Sequence, residues 1–377
     1  MYRALFIATV FASGVGCQLP PDEIAPIAGR DTDAEGPMRP GGAASDADGG
    51  IDSSSAKNET PGADAGAASP FTIIVLPDTQ FYSQAWASIF DGQAEWIVAN
   101  KEAQQIAFVL HTGDIVDSDV AEQWSVAAHS LAMLDGNVPY VVAGGNHDYS
   151  NIADRVGMTS QYLPVSRFAQ NAYFGATFEP DHIENSYSVI PAGGASWLVL
   201  ALEFGPRDEV LGWADATLRR FSSLPAIIIT HAYLYSDGRR YDRCGPNQPW
   251  NPHDYVMMGQ PGTSINDGEE VWRKLVLPNS NVKFVFSGHA VGDGSGALGY
   301  AAARLTSLRP DGSKVHQILA NYQYCLGGPC PEVHGGNGFL RLVHIAPAER
   351  SVTVKTYSPY LDRFQTDREN EFALDLP

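Results

Sequence analysis

The stretch Val141-Val142-Ala143-Gly144-Gly145-Asn146-His147-Asp148 passes from a β-favouring run through two glycines into three polar residues. Each of the last three can bind a metal or move a proton, and glycine lets a chain turn sharply off a strand end. Asn146 and His147 are therefore expected to project from the rim of a sheet. Taken alone, the stretch also reads as an ordinary turn. The other strand ends decide between the two readings.

Upstream, Phe71 to Leu76 is a continuous apolar run, the pattern of a fully buried strand, and it ends in Pro77-Asp78-Thr79-Gln80. A carboxylate just past a buried strand is costly unless something pairs with it, and a metal is one such partner. Helical spacing from Asp91 to about Gln105 puts Trp96 and Ile97 on an apolar side. Ile106 to Leu110 is a second buried strand, leading into His111-Thr112-Gly113-Asp114 and on to Asp117. This alternation indicates an α/β layer of mostly parallel strands, which gathers groups at the carboxyl ends. His111 reads as a packed or hydrogen-bonded residue. Ser118 or Asp119 is the expected cap of a helix running to about Leu134, and Pro139 to Ala143 is the third strand.

Downstream, residues 149–185 are rich in aromatics and turns and are expected to cover or line a pocket. Strands are expected at Ser186 to Ile190 and Ser196 to Leu202, with a helix over Leu211 to Phe221. Ala226 to Thr230 is a buried strand closed by His231. Residues 236–267 form a loop long enough to suggest function. A helix around Glu269 to Leu277 precedes the strand Val282 to Phe286, which runs into Ser287-Gly288-His289. Asp78, Asp114, Asn146, His231 and His289 thus each close an apolar strand. One such residue is unremarkable; five in this arrangement point to a shared site. Further strands are expected at Val315 to Ala320, Gly338 to Ala346 and Ser351 to Tyr357. Asn321-Tyr322-Gln323, after the first of these, reads as a turn or as an approach to the pocket. His316 and His344 fall inside strand patterns and are not expected to be ligands.

The chain of 377 residues suffices for a large buried core. Its net charge of −19 repels a polynucleotide backbone, which argues against broad nucleic-acid binding. A small phosphate-containing substrate is still compatible, because bound cations reverse the field locally. Residues 1–17, MYRALFIATVFASGVGC, read as a signal peptide too short to span a membrane stably. Small residues before Cys17 resemble a bacterial lipoprotein cleavage site, with Gly14 where such sites carry a larger aliphatic residue; simple secretion is the alternative. Residues 18–70 are rich in Ala, Gly, Asp, Ser and Pro and lack aromatics, so they are expected to be a disordered tether. In an oxidising compartment Cys325 and Cys330 could close a small loop, and Cys244 is an equally possible partner.

The order Asp78…Gly113-Asp114…Asp117…Gly145-Asn146-His147-Asp148…His231…Gly288-His289 resembles the calcineurin-like metallophosphoesterases from about Phe71 to Gly294. The resemblance implies an α/β fold of two β-sheets packed face to face with helices outside (four layers, αββα), spanning 71–377. It implies two divalent metal ions at the strand ends. Asp78 would bind the first, Asp114 would bridge both, and Asn146, His231 and His289 would complete the second. His147 would donate a proton or stabilise the transition state, oriented by Asp117. Hydrolysis of a phosphomonoester or phosphodiester by an activated water follows from such a centre. Two departures fall on the first metal. Asp78-Thr79-Gln80 replaces Asp-x-His, and Gly288-His289-Ala290-Val291 replaces Gly-His-x-His. Gln80 can offer a carbonyl oxygen, and Asp293 lies close enough along the chain to substitute. A site of Asp78, Gln80 and Asp114 favours Mg, Mn or Ca, whereas the second site suits Zn, Fe or Mn. The expectation is an exported, monomeric enzyme at the cell envelope (outer membrane or periplasm) or secreted, touching membrane only through a lipid anchor. The alternative is a surface binding module with a degenerate, single-metal site.

Overall fold

The computed structural model describes residues 68–245, 248–255, 264–291, 301–323 and 334–377. Residues 1–67, over which a signal segment and most of a tether are expected, lie outside them, as do Asp293, Cys325 and Cys330. Cys244 is disulfide-bonded.

Two mixed sheets form the centre. The first runs, in spatial order, Arg363–Gln365, Ser351–Ser358, Leu340–Ala346, Phe71–Leu76, Ile106–His111 and Tyr140–Val142, with Phe372–Asp375 also pairing Ser351–Ser358. The second runs Phe174–Thr177, Ser186–Ala192, Ala195–Leu202, Ala226–Thr230, Val282–Ser287, Lys314–Asn321 and Ala301–Leu308. Phe71–Leu76, Ile106–His111 and Tyr140–Val142 are mutually parallel, so Asp78, Asp114 and Asn146 emerge from one rim. The four strands from Ala195–Leu202 to Lys314–Asn321 are also parallel, which carries His231, His289 and Asn321 to their own common rim.

The period of two along each strand explains the layers. Ile73, Val75, Phe108, Leu110 and Val141 face Val199, Ile227, Ile229, Phe284 and Phe286 in a core between the sheets. The intervening residues Ile74, Leu76, Val109 and Val142 point the other way, onto Phe90, Ile97, Trp124 and Leu131 of two outer helices. On the far side, Leu198, Leu200, Ile228 and Val285 pack against Val210, Leu211 and Leu218 of the helix Asp208–Arg220. Each fully buried Val, Leu, Ile or Phe contributes about 1.5–3 kcal/mol of transfer free energy. Strands buried on both faces need no polar alternation, which is why these runs are continuously apolar. The implied helix–sheet–sheet–helix order is present.

Several boundaries differ from expectation. The helix expected over Asp91 to Gln105 spans Ala87–Ala99. Asn100 turns its side-chain amide back onto the Trp96 carbonyl, and the chain leaves through turns that end at Gln105, whose φ is 53°. The next helix is Ala121–Ala132 and carries no side-chain cap. Asp119 instead accepts from Trp124 Nε1 at 2.7 Å and from the Met158 amide at 2.8 Å, tying the helix to the following insertion. The helix expected at Glu269 begins at Gly268, is capped by Asp267, and loosens into a π-helical turn over Trp272–Val276. Strand Ala301–Leu308 escaped notice because Arg304, Thr306 and Ser307 give an edge strand little apolar content.

Candidate metal centre

Two candidate ligands sit in strained backbone. Asp114 and His289 have φ of 49° and 67°, in the left-handed region that costs a non-glycine residue about 1–3 kcal/mol. Neighbouring loops approach so closely that a Cβ on Gly145 would overlap Asp114 Oδ1, and one on Gly288 would overlap Asp78 Oδ1. The glycines before Asn146 and His289 are thus required by close approach.

Asp114, His231 and His289 are all buried, with one donor atom each within 4.8 Å of the others. His231 Nδ1–H donates to the Thr112 carbonyl at 2.9 Å, so a neutral ring keeps its lone pair at Nε2. That Nε2 lies 3.1 Å from Asp114 Oδ2, an ion-pair contact that lacks hydrogen-bond alignment. Two donors at right angles on one ion, each about 2.1 Å from it, are separated by about 3 Å. His289 Nε2–H donates to the Trp250 carbonyl at 2.8 Å, which frees Nδ1. Asn146 Oδ1 is buried and without a hydrogen-bond partner among the described residues. Orphaned buried donors are costly, and one divalent cation would satisfy them together. Two imidazoles, a carboxylate and an amide oxygen suit such an ion.

Charges follow this arrangement. For Asp114, burial opposes ionisation, but His231 and His147 outweigh it and hold the carboxyl well below its usual range. Burial also opposes protonation of His231, while Asp114 and Asp78 push that ring up to about 9. Burial and the His231 charge bring His289 down to about 3.

The part of the site expected to take the first metal is built around Asp78, 2% exposed. Its carboxylate accepts from the His289 amide at 3.2 Å, from Asn321 Nδ2 at 2.9 Å and from Gln323 Nε2 at 3.4 Å. Gln80 Nε2 donates to Asp117 Oδ1 at 3.1 Å, leaving Gln80 Oε1 buried and unpartnered. Burial, above all, pushes Asp78 up to about 7. Among the sequence-expected residues, Asp114, His231 and His289 cluster, Asp78 joins them through the His289 amide, and Gln80 meets Asp117.

His147 differs from these buried groups: its side chain is 40% exposed. Its Nδ1–H donates to the main-chain carbonyl of Asp117 at 2.7 Å, while the Asp117 carboxylate is 4.0 Å away. Asp117 thus orients the ring through its backbone and holds Gln80 through its carboxylate. Burial lowers the His147 pKa, but the Asp114 charge and the Asp117 carbonyl raise it more, for a net upward shift.

Some supporting residues were not read from sequence. Asp148 accepts from the amides of Ile115, Val116 and Gly145 at 2.8, 3.1 and 2.8 Å, clamping two strand-end loops together. Asn321 and Gln323 both hydrogen-bond Asp78, which agrees with the second reading of that stretch, an approach to the pocket, rather than with a simple turn. His111 is structural as expected, bonded to Thr79 Oγ1 at 2.9 Å and accepting from the Gly113 amide at 3.2 Å. His316 and His344 hydrogen-bond Thr306 and Thr72 and take no part. The group His253, Asp267 and Glu270 is internally satisfied: His253 bonds Glu270 at 2.7 Å, and Asp267 caps a helix. It anchors Asn251, next to the Trp250 carbonyl that fixes His289.

Residues of the 149–185 insertion line a cavity of about 520 Å³ with Glu203 and Arg207. None of its walls is a candidate metal ligand, and Arg207 pairs with Glu203 at 2.8 Å. The cavity borders the centre through Tyr149 and Glu184, which both lie against Gly144.

Residues 71–293 match the family model of the calcineurin-like phosphoesterases, and the chain belongs to that family. The protein YvnB of Bacillus subtilis (strain 168) is 32% identical over 320 residues, covering 81% of this chain but 22% of its own length. This chain therefore spans under a quarter of that relative. A purple acid phosphatase from yellow lupin seeds is similar in fold at 12% identity and a TM-score of 0.48, over 82% of this chain and 54% of that one. A 5'-nucleotidase precursor from Thermus thermophilus gives 13% identity and a TM-score of 0.41, over 81% and 54%.

Proposed function

We propose that this protein is an exported, metal-dependent hydrolase of a phosphoric mono- or diester, working through a two-ion centre. The observation that carries the reading is the buried cluster of Asp114, His231 and His289, together with Asn146 Oδ1 and Gln80 Oε1, which are buried and have no hydrogen-bond partner among the described residues. Asp114 would serve both ions. His231, His289 and Asn146 would complete the second site, and Asp78 and Gln80 the first. Two divalent ions there would supply Lewis acidity toward the phosphoryl oxygens and lower the pKa of an attacking water. The chain's own residues do the rest. The carbonyls of Thr112 and Trp250 hold the imidazoles of His231 and His289 in the tautomers that present lone pairs. His147, fixed at Nδ1 by the Asp117 carbonyl, keeps Nε2 for the reacting groups and hands its proton to the leaving oxygen.

The experiment is hydrolysis of p-nitrophenyl phosphate and bis(p-nitrophenyl) phosphate before and after chelation. Chelation should abolish turnover of at least one ester, and Mn²⁺ should restore it. Turnover of neither ester by metal-loaded protein would end the proposal. Export rests on the apolar run before Cys17, and the tether after it suits a lipid anchor. Mass spectrometry showing an uncleaved, unmodified N-terminus would remove the anchor.

A further inference from the structure

Gln80 and Gln323 are in the same chemical situation, one bonded to Asp117 and the other to Asp78. Each commits its amide nitrogen to a carboxylate: Gln80 to Asp117 Oδ1 at 3.1 Å, Gln323 to Asp78 Oδ2 at 3.4 Å. A carboxylate accepts and cannot donate, so neither amide can be flipped without setting oxygen against oxygen. Both carbonyl oxygens are consequently fixed away from those bonds, and both are buried without a partner among the described residues. Gln80 is 2% exposed and Gln323 8%. Gln323 is itself held, since its backbone amide donates to Asn321 Oδ1 at 3.0 Å while Asn321 Nδ2 donates to the same Asp78 oxygen at 2.9 Å. A buried amide oxygen left unpaired is costly, so each of the two calls for an electrophile. At Gln323, the buried Asp78 carboxylate beside the amide favours a cation over water.

We propose that Gln323 Oε1, with Gln80 Oε1, takes the place of the two absent imidazoles, making the first ion site an oxygen-only site for a hard divalent cation such as Mn²⁺ or Mg²⁺. This rests on the metal-centre reading above and adds to it a ligand from the strand Lys314–Asn321 and its exit. Asn321 is a positioning residue in this arrangement, acting through Asp78 and Gln323.

The test is Mn²⁺ titration of metal-stripped protein, followed by calorimetry and by the electron paramagnetic resonance of free Mn²⁺, on wild type, Gln323→Leu and Gln323→Glu. Wild type should show a tight and a weaker event. Gln323→Leu should keep the tight event and weaken the other at least tenfold. Gln323→Glu should keep the weaker event and lose less affinity than Gln323→Leu, because its carboxylate still offers a ligand oxygen although the other oxygen now faces Asp78. A residue that merely steadied Asp78 by donating a hydrogen would behave oppositely, with Glu at least as damaging as Leu; that result overturns the proposal. Unchanged binding in Gln323→Leu overturns it too, and leaves the metal centre standing. A wild type that takes up no Mn²⁺ removes both. Should Gln323→Leu fail to fold, Gln323→Glu decides alone.

Discussion

Asp117 joins the two working halves of the site: its carboxylate receives Gln80 Nε2 at 3.1 Å, and its main-chain carbonyl receives His147 Nδ1 at 2.7 Å. Only the first contact depends on its side chain. Asp117→Ala should therefore weaken the first ion by about 10–100-fold, the usual effect of losing a partner that orients a ligand. The tighter ion should be unaffected in calorimetry. Equal weakening of both ions would show that Asp117 acts on the whole centre.

His147→Ala should keep bound metal and lower turnover by roughly a hundredfold to ten-thousandfold, the range for a lost general acid. Asp114→Ala is the contrast, because it removes a carboxylate assigned to both ions and should leave the protein largely metal-free. Metal analysis of the two variants beside their turnover separates the roles. Release of metal by His147→Ala to the same extent would refute the proton-donor assignment.

Much of this was legible because burial leaves a plain trace. Phe71–Leu76, Ala226–Thr230 and Val282–Ser287 are buried on both faces, so their apolar runs end abruptly at Asp78, His231 and His289. Interactions through the backbone leave no such trace. Nothing in residue types marks the Thr112 and Trp250 carbonyls as the groups that set the imidazole tautomers. Nor do they show that Asp117 meets His147 through its main chain. Asp148 ends the Gly-Asn-His-Asp stretch, but its three amide partners come from loops 3 to 33 residues away. The edge strands Ala301–Leu308 and Phe372–Asp375 were missed for a related reason: half-exposed strands mix charged and apolar residues without a long apolar run.

Removing the Asp148 carboxylate should strand three amide donors, at Ile115, Val116 and Gly145. Each buried donor left unmet costs about 1–3 kcal/mol, so Asp148→Ala should destabilise by at least about 3 kcal/mol in urea unfolding. Asp148→Asn, which keeps one acceptor oxygen, should lose less. A loss under about 1 kcal/mol in Asp148→Ala would mean that water reaches those amides.

In the metal-free protein Asp78 is pushed up to about 7, chiefly by burial. A carboxyl whose folded pKa exceeds its unfolded value of about 4 favours the fold fully at low pH. That contribution is lost as pH rises from about 4 through 7, so Asp78 works against apo-protein stability across this window. Metal binding must displace the same proton. Apparent Mn²⁺ affinity of the weaker, Asp78-containing site should rise up to about tenfold per pH unit below 7 and then level off, with proton release detectable in weakly buffered solution. Affinity flat between pH 5 and 7 would contradict a protonated Asp78.

The two-ion account is tested most directly by adding Mn²⁺ in steps to metal-stripped protein while recording heat of binding and diester turnover on one sample. The site has two imidazoles on one side and only oxygen donors assigned on the other, so the ions should load unequally. The account predicts two binding events, with turnover appearing as the second, weaker site fills. Full turnover at one equivalent, or a single event with no hydrolysis at any Mn²⁺ concentration, would contradict it.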